Sequence, residues 1–156
     1  MSFGSDMGTF LTSPNAFDAE LTVGNEAPAA IYFDHCEVES YIPGYQFILR
    51  AGYMDNPGSK NELFLGANPD GTEQGFTLTP DMTYIIGPGV GHIHASFGLE
   101  GYVENLPNVY WGDLNCESIV TDDMGKTTFN MRFSIGWVDD QGNDVELRCT
   151  ALEVTT

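Results

Sequence analysis

Basic side chains are the scarcest feature of this sequence. Among 156 residues, five Lys and Arg stand against 23 Asp and Glu, a formal net charge of -18. A protein that tracks nucleic-acid phosphates needs a cationic surface to displace counterions, so DNA and RNA are excluded as partners. An anionic membrane surface is excluded by the same sign. No apolar run is long enough to span a bilayer. There is no Gly-x-Ser-x-Gly nucleophile turn and no Gly-rich phosphate loop opening a helix. The opening residues, Met1 to Asp6, hold neither a basic cluster nor an apolar run. No secretory leader is read there, and cytoplasmic synthesis is expected. Cysteine is sparse and odd in number: Cys36, Cys116 and Cys149 lie far apart with no C-x-x-C. They are expected as buried thiols.

Helical period is nearly absent as well, and what fills the chain is alternation. Phe17, Ala19, Leu21 and Val23 alternate with Asp18, Glu20 and Thr22; Cys36, Val38, Ser40 and Ile42 alternate with Glu37, Glu39 and Tyr41. The longest such run spans Thr127 to Trp137, with Phe129, Met131, Phe133, Ile135 and Trp137 on one face. After the turn at Asp139–Asp144, Val145, Leu147, Cys149 and Ala151 repeat the pattern, which predicts an antiparallel hairpin. Shorter strands are predicted at 30–33, 45–53, 62–65, 76–79, 83–86, 92–97, 101–104, 109–111 and 114–120. Pro, Gly and Asn punctuate them. About ten short strands indicate one all-β domain, an antiparallel sandwich or jelly roll, over residues 17–156. Residues 1–16 read as a flexible arm with little charge, whose Phe3 and Phe10 are candidates for contact with a neighbour.

The sharpest chemical feature is His92-Ile93-His94. Residues two apart on a strand share a face, so both imidazoles are positioned to meet one metal ion, with Glu100 as a third ligand. The stretch Gly87 to Gly101 resembles the cupins, small β-barrels with a His-x-His and a following Glu on a Gly-rich approach. The resemblance implies a divalent transition metal at His92, His94 and Glu100, and a metal-dependent enzyme or sensor. The pattern differs from the family's in three respects: five residues separate His94 from Glu100, where three or four are usual; the Gly-to-His gap is four where the family has five; and no histidine follows His94 to complete the ligand set.

Two acidic turns gather oxygen ligands around a Gly: Asp70 and Glu73 in one, Asp139, Asp140 and Asp144 in the other. Both are candidates for structural calcium, although turn chemistry alone already favours these residue types. Tyr110 and Trp111 are adjacent, so one strand cannot direct both into its core. An exposed aromatic there suits a subunit contact or a sugar ring. No nucleophile, base or phosphate cradle stands out, so the expected function is structural rather than enzymatic. The chain is expected to act through protein–protein contacts, by self-assembly or in a larger lattice such as a capsid decoration or tail within a virus particle. No cofactor is expected under that reading. The cupin-like metal protein is the alternative, and a carbohydrate-binding module using Tyr110 and Trp111 comes third.

Overall fold

The computed structural model describes residues 16–31, 33, 35–41, 46–52, 62–67, 78–89, 91–99, 103 and 105–155. These form ten strands and no helix: β1 (Ala16–Val23), β2 (Ala29–Ile31), β3 (His35–Tyr41), β4 (Gln46–Gly52), β5 (Glu62–Ala67), β6 (Met82–Ile86), β7 (Ile93–Gly98), β8 (Trp111–Thr121), β9 (Thr127–Val138) and β10 (Asp144–Thr155). The all-β architecture read from the alternation is what forms. The predicted strands at 109–111 and 114–120 merge into the single strand β8. Val103 contributes only an isolated bridge to Leu99, and Leu78 and Thr79 lie outside any strand.

All ten strands belong to one sheet, in the order β2-β1-β10-β9-β8-β6-β7-β5-β4-β3. Every pairing is antiparallel except β6 with β7, which meet in parallel at Ile86 and Ile93 alone. That single contact is a corner. The chain passes through it from the β8–β10 half to the β5–β3 half without reversing direction. The outermost strands β2 and β3 are consecutive in sequence. From Ile31 to His35 the chain spans at most about 14 Å, so the two edges of the sheet are drawn together and the sheet is curled on itself. Register shifts help to bend it: β8 slips between Cys116 and Ser118, β10 between Cys149 and Leu152, on either side of Met131 in β9. Bulges of this kind increase local twist and turn a strand's direction.

The inner surface of the curl is the core. Leu49, Leu63, Leu65, Ile93 and Phe97 come from one half, and Leu114, Met131, Ile135, Leu147 and Val154 from the other. Each large apolar side chain removed from water contributes about 2 kcal/mol. Phe97 and Trp137 meet across the halves with ring centroids 6.2 Å apart. Phe17 and Phe33 pack edge to face at 5.6 Å, which fixes the β2–β3 link against β1. The three cysteines are buried. Burial pushes the Cys149 thiol up to about 12, and burial followed by the nearby Asp81 and Glu117 raises Cys116.

Candidate functional site

Alternation sends Phe133, Ile135 and Trp137 inward and leaves Ser134 and Gly136 on the outer face of β9. The register then builds a row across four strands: Thr22 faces Glu146, Glu146 faces Gly136, and Gly136 faces Trp111. Gly136 lets the indole come close here. A Cβ on it would lie 2.7 Å from Trp111 Nε1, so the indole rests directly on the backbone. Gly112 is held as closely from the other side, because a Cβ there would run into the Ser134 carbonyl oxygen. With no side chains at these two glycines, a hollow of about 310 Å³ opens between Trp111, Ser134, Asp144, Glu146 and Thr22. Arg148 sits one row along and donates from Nη2 to Glu146 Oε2 at 3.2 Å. Trp111 stays 49% exposed, so the indole is partly open to solvent.

Tyr110 does not share that surface. It is buried, and its hydroxyl accepts a hydrogen bond from Ala95 N at 3.1 Å. The adjacent aromatics therefore divide, one bracing the corner of the sheet and one facing outward. Ile85 lies on the same outer face as Trp111, since it pairs with Asp113 two residues along β8.

The histidines occupy the corner between β6 and β7. Gly87 N donates to Ile93 O at 2.9 Å, closing the loop that carries Pro88, Gly89 and Gly91. The His94 Nε2–H donates to the Gly89 carbonyl at 3.0 Å. His92 lies against the same loop: its Nδ1 is buried without a hydrogen-bond partner, and a Cβ on Gly89 would come within 2.9 Å of it. Both imidazoles thus gather on Gly89, with one ring nitrogen of each taken up inside the loop. Glu100 lies outside the described residues. Among the described residues no group of three His, Cys, Asp or Glu side chains is placed to hold a metal ion.

Of the acidic turns, Asp70 and Glu73 lie outside the described residues, as do Phe3 and Phe10. The tip at Asp139 is described in full. Asp139 Oδ1 accepts from Gln141 N at 2.9 Å and Asn143 N at 2.8 Å, and Oδ2 accepts from the Asn143 side chain at 3.3 Å. These bonds, led by the one from the Asn143 backbone, hold the Asp139 carboxyl below its ordinary range. Oδ1 is taken up by two turn amides, and Oδ2 by one longer bond. Asp140 and Asp144 remain exposed beside it. A second tip, absent from the sequence reading, repeats the construction: Asp122 Oδ1 accepts from Met124 N and Lys126 N, at 2.8 and 3.0 Å. The shared pattern Asp-Asp-x-Gly, with Gly125 and Gly142 at φ of 82° and 83°, was the signal available. A larger cavity of about 520 Å³ lies beside the Asp139 tip, lined by Glu26, Asn105, Pro107 and the buried Trp137 among others.

Sequence reasoning also missed the glycines behind Trp111, although a glycine inside a strongly alternating strand marks a close approach by another group. No family model matches the chain, and no curated protein or solved structure does either.

Proposed function

We propose that this chain is a structural component, one that builds or decorates a protein assembly of virion type through the outer face of its sheet. The observation that carries this reading is a set of apolar side chains the core does not use. On the same face as Trp111, 49% exposed, stand Ile85 at 60% and Val138 at 44%. Single exposed apolar residues are ordinary on any surface, but a group on one face marks a contact. Val138 follows Gly136 by two residues in β9, so strand alternation directs it to the hollow's side of the sheet. A Trp at the centre of such a group is the residue type that most often anchors an interface.

The test is sedimentation of the tagged full-length chain from its native source through a density gradient. The chain is expected in a fast fraction with a large protein assembly. The paired substitutions Ile85→Ser and Trp111→Ser are expected to return it to the position of a free 17.1 kDa chain. Wild-type chain found only at that slow position would overturn the reading.

A further inference from the structure

The proposed contact face has a chemistry that identifies what sits on it. A second copy of this chain is a poor occupant, because two bodies of charge -18 repel as their faces approach. The same field draws in a cationic partner and speeds its encounter. At the centre of the face is a tryptophan, the side chain whose ring binds a cation best. The hollow beside it carries carboxylates on its wall. Asp144 has no side-chain hydrogen bond among the described residues, and Glu146 already receives the Arg148 guanidinium through Oε2 alone. Ser134 and Thr22 add hydroxyls that accept further N–H bonds.

We infer that the hollow beside Trp111 receives a basic side chain, an arginine guanidinium in preference to a lysine ammonium, presented by the protein partner of this face. This rests on reading that face as a protein contact. The guanidinium is flat and weakly hydrated, so it stacks on the indole while its edge donates to Asp144 and Glu146. An ammonium keeps more of its water and offers no plane to stack.

The probe is tryptophan emission of the full-length chain. Only two tryptophans are present and Trp137 is buried, so a soluble probe reads Trp111. Hexa-arginine, hexa-lysine and a neutral hexasaccharide are titrated at salt concentrations of about 20 mM and about 500 mM, which bracket strong and weak screening. Hexa-arginine is expected to change the emission saturably and to bind about three- to tenfold more tightly than hexa-lysine, the span a cation–π contact supports. High salt is expected to weaken both. By calorimetry, Trp111→Ser is expected to erase the difference between the peptides, Trp111→Phe to keep part of it, and Asp144→Asn with Glu146→Gln to weaken hexa-arginine most.

Equal binding of the two peptides, unchanged in Trp111→Ser, would overturn the inference as diffuse attraction to an acidic protein. A saturable response to the neutral hexasaccharide at both salt concentrations would overturn it in favour of a sugar site. No response to hexa-arginine would also overturn it. If the gradient still showed release of Trp111→Ser chain from an assembly, the contact face would stand and only the partner's chemistry would fall.

Discussion

The β6–β7 corner and the outer face of β9 each lay an aromatic ring on bare glycine backbone, and they differ in what happens next. At the corner between β6 and β7, His92 packs on Gly87 and Gly89, its Nδ1 is sealed from solvent, and His94 ties the same loop down through Gly89 O. On the outer face, Trp111 packs on Gly136, yet about half of its surface remains open above a hollow. The corner is closed on itself. The face is not. A packing device completed within the chain holds a fold together, whereas the same device left open offers its second surface to something else. The histidine pair, a metal candidate in the sequence, packs on its own loop in the structure, whereas the tryptophan, a contact candidate in the sequence, stays half open.

The comparison is most easily broken at the corner. Gly89→Ala places a methyl 2.9 Å from His92 Nδ1, and the ring is hemmed in by the loop. Overpacking of this kind is expected to cost about 2 kcal/mol, a fall of about 4–8 °C in melting temperature for a domain of this size. In a His92→Ala background the methyl has room, so about half of that penalty or more should vanish, a coupling of at least about 1 kcal/mol between the two positions. Thermal melts of the four proteins decide it. Additive costs would mean that His92 is not packed on Gly89 as a structural ring, and the contrast with Trp111 would collapse.

The equivalent change on the open face should have a smaller effect on stability and a larger one on binding. Gly136→Ala sets a methyl 2.7 Å from Trp111 Nε1, but the indole can lift into solvent. The expected loss is below about 1 kcal/mol, in the range of surface substitutions. Emission should shift to longer wavelength as the ring becomes hydrated, and co-sedimentation with the assembly should weaken. A loss of stability as large as that of Gly89→Ala would show that Trp111 is a structural cover for the sheet and nothing more.

How much of this was legible beforehand follows from the range over which each cause acts. The alternation of Phe129, Met131, Phe133, Ile135 and Trp137 is local, and the hairpin from β9 to β10 formed with the predicted faces. The split of Tyr110 from Trp111 followed from the same period of two, though which of them turned inward depended on Ala95, fifteen residues away. The order of strands was not legible, because the parallel contact at Ile86 and Ile93 and the insertion of β10, β9 and β8 between β1 and β6 are set by long-range packing. The hollow was hidden for a similar reason. Gly112 and Gly136 are unremarkable until the register puts one against Ser134 O and the other under an indole. The calcium reading of the Asp139 turn was limited by chemistry that sequence does not order, since the same carboxylate either caps a turn or binds an ion.

That last ambiguity gives the smallest test, which asks whether the Asp139 tip is closed like the corner or open like the face. Its carboxylate accepts from two backbone N–H groups and one side chain, and these bonds favour the ionised form and lower its pKa. A group whose pKa is depressed by folding stabilises the fold fully above its unfolded value, near about 4 for Asp, and loses that contribution as pH falls through the folded value. The protection factors of the Gln141 and Asn143 amides, corrected for the intrinsic pH dependence of exchange, should therefore fall below about pH 4 while the centre of the β9–β10 hairpin stays protected. Asp139→Asn retains an accepting oxygen without the titration, so it should keep the turn at neutral pH and flatten the acid response of those two amides. Calcium should leave the melting temperature within about 1 °C, because ion coordination would have to break bonds the turn already uses. A rise of several degrees with calcium, lost in Asp139→Asn, would move this tip to the open class and make it a second place where the molecule meets something outside itself.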